Sequence, residues 1–237
     1  MRRILLCGGA GSLGESISKE FPSPGDEVWL SSRRSPESLK IKDGVKRLWC
    51  PADLSRPHDV DALCSRFVDT PLHGLIYSAG TWETNPDLTK ISTSEIFDVM
   101  NINAGAFLAL ARGLRSNLAQ SGNARVIAIG SICGLPNSTG SRAVYAASKF
   151  AIRGAVHGLR HFFRELPIGV TALSPGPIAS IPQHEVGGQR IPAQDIVRII
   201  RMLFDLSAAS TLTEIHMPAR LYDDAIGQFI QGGEGVA

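Results

Sequence analysis

The sequence predicts a doubly wound α/β fold, with a parallel sheet of about seven strands and helices on both faces. Three observations predict it. Short apolar or β-branched runs alternate with amphipathic stretches along the 237 residues. The first run ends in a glycine-rich turn that opens a helix. No internal repeat or low-complexity linker interrupts the alternation.

Taken in order, strands are expected at 3–7, 27–32, 45–50, 74–78, 124–130, 169–173 and 212–217. Helices are expected at 13–21, 58–67, 95–118, 143–166 and 193–206, which supply the crossovers that parallel strands require. The weakest connection follows the second strand, where residues 35–40 are barely long enough for a helix. Residues 231–237 are glycine-rich and are expected to fray. The whole chain, 1–237, reads as one domain.

With 43% hydrophobic residues, 19% charged residues and a formal charge of +2, the composition is that of a globular protein without the basic excess of a nucleic-acid binder. The expected partner is a small molecule. The apolar stretch Ile4-Leu5-Leu6 ends at Gly8-Gly9, too short for a signal core or a membrane span, so a cytoplasmic location and no membrane partner are expected. Cys7, Cys50, Cys64 and Cys133 form no C-x-x-C pair and read as reduced, mostly buried thiols. His157 and His161, four apart in a helix, lack a third ligand and read as helix-face residues, so no metal site is expected.

The turn Gly8-Gly9-Ala10-Gly11-Ser12-Leu13-Gly14 places small residues where a pyrophosphate would approach amides at a helix N-terminus. This makes the predicted fold a Rossmann-type one. The second strand ends at Ser31-Ser32-Arg33-Arg34. It has no carboxylate to accept a ribose 2′-hydroxyl, and its two guanidinium groups suit a 2′-phosphate, so NADP(H) is expected over NAD(H). Arg33, first after the strand end, is the better candidate.

Tyr145 and Lys149 lie four residues apart on one helical face, where an ammonium beside a phenol would favour phenolate and lower the tyrosine pKa. Ser131 follows the fifth strand, at the sheet edge where such folds bind ligands.

In motif order, from about residue 3 to residue 180, the chain resembles the short-chain dehydrogenase/reductase family in its shorter, single-domain branch. The residues that carry the resemblance are the glycine-rich turn, Asp53-Leu54, Ser78-Ala79-Gly80, Asn103, Ser131, Tyr145 with Lys149, and Pro175-Gly176. The resemblance implies a reversible hydride transfer between a nicotinamide and a carbonyl or secondary alcohol. Tyr145 would be the general acid and base, and Ser131 would polarise the substrate oxygen. Lys149 would lower the Tyr145 pKa and hold the nicotinamide ribose. Asn103, preferred to Asn101, would hold a water that links Lys149 to solvent.

For the cofactor, the resemblance implies contacts from Gly8, Gly11, Ser12, Leu13, Gly14, Arg33 and Arg34. Asp53 and the Leu54 backbone would meet the adenine, with Ala79 and Gly80 against the adenosine ribose. Pro175, Gly176, the Ile178 backbone and the Ser180 hydroxyl would meet the nicotinamide carboxamide. Residues 181–191, with His184 and Glu185, would form the substrate loop. A homodimer or homotetramer would pair through the helices at 95–118 and 143–166.

The sequence departs from the family pattern at Cys7 (for threonine), Ser12 (for glycine) and Ser78 (for asparagine), and at the ending Glu214-Ile215-His216-Met217-Pro218. Two other readings stay open. A catalytically silent nucleotide-binding regulator would have no chemical need for all of Asn103, Ser131, Tyr145 and Lys149. An epimerase or dehydratase would need more chain after the sixth strand.

Overall fold

Seven strands hydrogen-bond in the order β3-β2-β1-β4-β5-β6-β7, and every pairing is parallel. They are β1 Arg3–Cys7, β2 Glu27–Ser32, β3 Lys46–Pro51, β4 Gly74–Tyr77, β5 Ala124–Ile129, β6 Ile168–Pro175 and β7 Glu214–Met217. The computed structural model describes residues 1–136, 142–179 and 189–221. The order reverses between β1 and β4, which opens a crevice at the C-terminal ends of the strands. Cys7 is level with Ser31 and with Tyr77, so the segments that follow β1, β2 and β4 leave the sheet side by side.

Both faces of the sheet are covered, which is why the central strands read as continuous apolar runs rather than alternating ones. Leu5, Leu75, Val126 and Ala128 pack under α2 Pro57–Ser65, α4 Ala106–Gly113 and α6 Ala143–Phe162, against Leu63, Phe107, Leu110, Ile152 and Val156. Ile4, Leu6, Ile76, Ile127 and Leu173 face the other way, toward Ile17 of α1 Ser12–Glu20 and Ile196, Ile200 and Leu203 of α7 Ala193–Asp205.

One expectation fails in an informative way. The predicted helix at 95–118 is four pieces: α3 Thr93–Met100, a π-helical turn Asn101–Gly105, α4, and α5 Arg115–Ala119. A π-turn widens the ladder and releases carbonyls from their usual partners. The buried Tyr77 hydroxyl donates to the Ile102 carbonyl there. Asn103 therefore sits in a distortion of the helix, not in a regular turn. The 35–40 segment forms only a 3₁₀ turn, Glu37–Lys40. Of the four unpaired cysteines, Cys7 and Cys50 are buried while Cys64 and Cys133 are half-buried, so burial is less general than expected.

The edge strand β7 is pinned to α6 by a cluster that only the fold assembles. Glu214 accepts from Arg153 (Nη2 to Oε2, 3.0 Å), pairs with His157 (Nε2 to Oε1, 2.7 Å) and contacts His216 (3.0 Å). His157 thus has a structural partner, and among the described residues no group of side chains could hold a metal ion. Burial alone would raise the Glu214 pKa, but Arg153, His157 and His216 outweigh it and lower it from 4.5 to about 2.

A folded-state value below the unfolded one contributes stability that is complete above pH 4.5 and is lost as the pH falls toward 2. Glu214→Gln is expected to cost about 2 kcal/mol at pH 7, a fall in Tm of roughly 4–8 °C. Thermal melts across pH should show the deficit closing in acid. A deficit unchanged down to pH 2 would remove the charge from this account.

Candidate active site

Three segments converge at the C-terminal edge of the sheet. β5 delivers Ser131 through Gly130 and the tight turn Ile132–Gly134. That turn lies directly on the backbone of α6. A Cβ on Gly134 would stand 2.6 Å from the Lys149 carbonyl carbon and oxygen, so only glycine allows the approach. In α6, Val144, Ser148, Lys149, Ile152, Val156 and Leu159 form one buried stripe at helical spacing. The apolar members of that stripe fix the rotation of the helix and carry Lys149 inward beside Tyr145.

Lys149 is 4% exposed, its Nζ donates to the Ile129 carbonyl at 3.0 Å and it lies 5.4 Å from the centre of the Tyr145 ring. Burial pushes its pKa down to about 8. Tyr145 is pushed the other way, up to about 12, by burial first and then by Cys133 and Glu83, with the Ser131 hydroxyl pulling down. The expected lowering of the tyrosine by Lys149 is therefore not what this arrangement produces. The ammonium is turned to a backbone carbonyl, and burial weakens its charge. The site presents a protonated phenol at neutral pH.

Asn103 stands behind this pair, fully buried. Its Oδ1 accepts from the Thr81 amide, and its Nδ2 donates to the Thr81 carbonyl and the Ser148 hydroxyl, each at 2.8 Å. Ser148 in turn donates to the Tyr145 carbonyl at 2.6 Å. Both amide protons of Asn103 are thereby committed. Gly80 is adjacent to both, since a Cβ there would be 3.5 Å from Asn103 Oδ1 and from Lys149 Nζ.

At the other end of the crevice, Gly8 has φ +83° and Gly14 packs onto it. No side chain caps α1, whose first intrahelical bond, Glu15 amide to Gly11 carbonyl at 2.8 Å, leaves the Ser12, Leu13 and Gly14 amides at the open end. Arg33 is exposed beyond β2 and lies close enough to Asp53 to lower its pKa. Burial alone would raise Asp53, but Ser55, Arg33 and Arg56 lower it. Asp53 Oδ1 accepts from the Ser55 amide and hydroxyl, at 3.0 and 2.8 Å. The Ser32 hydroxyl donates to the Arg34 carbonyl at 2.6 Å.

Leu54 is buried beside Asp53, Ala79 follows the crevice edge, and the Gly176 amide donates to the Met217 carbonyl at 2.8 Å after Pro175 closes β6. Ile178 bridges Ile191, which ties a residue just before the loop expected at 181–191 to the last residue of that loop. Ser180, His184 and Glu185 lie outside the described residues.

A family model described as short chain dehydrogenase matches residues 2–190. The protein belongs to the short-chain dehydrogenase/reductase family. Its sheet order is the Rossmann-type one of that family, and the chain spans about two thirds or less of the length of the first curated relatives it matches. The uncharacterized oxidoreductase YbbO of Escherichia coli is 27% identical over 180 residues, which are 75% of this chain and 66% of that relative's length. NADPH-dependent aldehyde reductase 2, chloroplastic, of Arabidopsis thaliana is 31% identical over 202 residues, covering 76% of this chain and 73% of the relative. A metagenomic short-chain oxidoreductase solved in complex with NADP superposes with a TM-score of 0.78 at 21% identity, over 93% of this chain and 97% of the other, a likeness of fold.

In this short-chain dehydrogenase/reductase, sequence reasoning missed Glu83 and Ser148, which hold the site from behind. Glu83 gave no signal, being one acidic residue in a long connection. Ser148 lay inside the Tyr145–Lys149 segment and was readable only once Asn103 was placed against it. Among the described residues, no helix is long and apolar enough to cross a membrane.

Proposed function

We propose that the protein transfers a hydride between NADP(H) and the carbonyl or secondary alcohol of a small molecule, with Tyr145 as general acid in reduction and general base in oxidation. The observation that carries this reading is the convergence of Ser131, Tyr145 and Lys149 at one sheet edge, backed by Asn103. When bound, the nicotinamide supplies or accepts the hydride. Ser131 orients the substrate oxygen beside the phenol, and Tyr145 gives it a proton. A protonated phenol is the form that can give the proton carbonyl reduction needs, and we take reduction as the working direction. The name of the aldehyde reductase relative supports the same direction.

The residues suit the nucleotide. Three uncapped amides at α1 match a pyrophosphate. Lys149 is a buried ammonium with one protein acceptor among the described contacts, so it retains donors for a ribose diol. Any relay water at Asn103 would be held by an oxygen of that residue, because its amide protons are used. Arg33 would bind the 2′-phosphate, with Asp53 toward the adenine. Pro175, Gly176 and Ile178 would face the carboxamide.

Arg33→Ala is expected to weaken NADPH binding by about 10- to 100-fold while leaving NADH within about twofold, as read by nucleotide fluorescence titration. Equal loss of both would sink the 2′-phosphate assignment. A panel of aldehydes, ketones and secondary alcohols tests the reaction itself. Tight nucleotide binding with no turnover on any of them would favour the silent regulator. For assembly we propose pairing through α3–α4 and α6, whose Phe97, Leu108 and Phe150 are exposed apolar side chains. Light scattering should then report two or four chains, and a single-chain mass would overturn the pairing.

A further inference from the structure

Glu83 lies in the connection between β4 and α3 and is 0% exposed. Its two carboxylate oxygens accept from the Val144 amide at 3.1 Å and the Tyr145 amide at 3.0 Å, in the first turn of α6. The residue at the cap position of that helix, Arg142, supplies no side-chain cap, and its guanidinium instead donates to the Glu83 carbonyl. A carboxylate about sixty positions away in sequence therefore does what a local serine or aspartate does in most helices.

We propose that Glu83 is a positioning residue for Tyr145, holding the first turn of α6, and with it the phenol, in place against Ser131. This rests on the proton-transfer role proposed for Tyr145. The geometry behind it is a clamp of four consecutive residues. Gly80 abuts Asn103 and Lys149, Thr81 is bound twice by Asn103, the Trp82 ring stands edge-on to Tyr145 at 6.2 Å, and Glu83 holds the Tyr145 amide. Every position of the segment touches one of the groups on which the proposed chemistry depends.

Glu83 also differs from a neutral cap in carrying charge. The titratable and charged groups that face Tyr145 are Cys133 from the 132–134 turn, Lys149 from its own helix and Glu83 from the β4–α3 connection. Facing Glu83 is Arg142. Burial, Cys133 and Glu83 all work to keep the phenol protonated. Removing the Glu83 charge should release part of that hold, an effect a merely structural cap would not have.

The test is Glu83→Gln, which keeps the size of the side chain but loses the charge and sets an amide N–H₂ against one backbone donor. ¹³Cζ-tyrosine NMR of the nucleotide-free protein, with the Tyr145 signal assigned from Tyr145→Phe, should show Tyr145 titrating at lower pH than in wild type. Turnover of NADPH with the carbonyl identified by panel screening should fall about tenfold, with the KM for NADPH within about twofold. Glu83→Asp keeps the charge but is too short to reach both amides, so it should retain the high titration and still lose turnover.

If Glu83→Gln folds poorly, Glu83→Gln/Arg142→Ser supplies a local cap. It should recover the fold while the Tyr145 titration stays shifted. A folded Glu83→Gln with unchanged titration and turnover, or a double variant in which both return to wild type, would overturn the proposal. Absence of wild-type turnover on every carbonyl would instead count against the proposed reaction, because the NMR titration reads the coupling of Glu83 to Tyr145 without any substrate.

Discussion

Tyr145→Phe is expected to lower kcat for carbonyl reduction by about 100- to 10,000-fold while leaving NADPH affinity within about twofold. The phenylalanine ring fills the same space against Trp82, so packing is kept and only the hydroxyl facing Ser131 is removed. The loss measures proton transfer and little else. The ionisation of the residue adds a second signature. With its pKa pushed up to about 12, Tyr145 is fully protonated across neutral pH, so reduction in wild type should not depend on its ionisation there. Alcohol oxidation needs the phenolate and should rise with pH, by roughly tenfold per unit below that value. Steady-state rates in both directions between pH 6 and 10 check this. An oxidation rate flat over that range, or equal loss of binding and turnover in Tyr145→Phe, would make Tyr145 structural.

Gly14→Ala is expected to have the largest effect on the fold. A Cβ at this position would stand 2.0 Å from the Gly8 carbonyl oxygen and 2.8 Å from its carbonyl carbon. Gly8 cannot retreat, because its own Cβ position is 2.6 Å from the Ala79 amide nitrogen and its φ of +83° is already one that favours glycine. The turn must open, at a cost of about 3 kcal/mol, which for a chain of this length lowers Tm by roughly 6–12 °C. NADPH should then stabilise the variant much less than it stabilises wild type, because the Ser12, Leu13 and Gly14 amides move with the turn. Thermal melts with and without nucleotide read both effects. A variant that melts like wild type would mean that the turn relaxes without cost.

Ser12 shows how a departure from the family pattern can be harmless to the fold. It is exposed at the start of α1, whereas Gly8 and Gly14 make the turn's tight backbone contacts. The family's middle glycine is thus dispensable to the turn itself in this chain. Any effect of Ser12 falls on what approaches the amides from outside.

The strand runs, the glycine turn and the Tyr145–Lys149 spacing were legible because each is local. Hydrophobic period, a strand-to-helix turn and residues four apart on a helix are all set within a few positions of the chain. All seven strands appeared within two residues of their predicted ends for the same reason. The π-turn at Asn101–Gly105 was not legible, since the helical pattern continues through it. At the distortion Tyr77, about 25 positions earlier, donates its hydroxyl to the Ile102 carbonyl, a contact that only the tertiary structure makes.

By itself, then, the sequence determined the alternation of elements, the glycine-rich turn after β1 and the grouping of Ser131, Tyr145 and Lys149 as candidates for one site. Only the tertiary structure decided their electrostatics. The protonation of Tyr145 depends on burial and on Cys133 and Glu83, and the charge of Lys149 depends on burial beside the Ile129 carbonyl. Desolvation and Coulomb interactions act through space, between groups that the chain brings together only when the sheet and α6 have closed on each other.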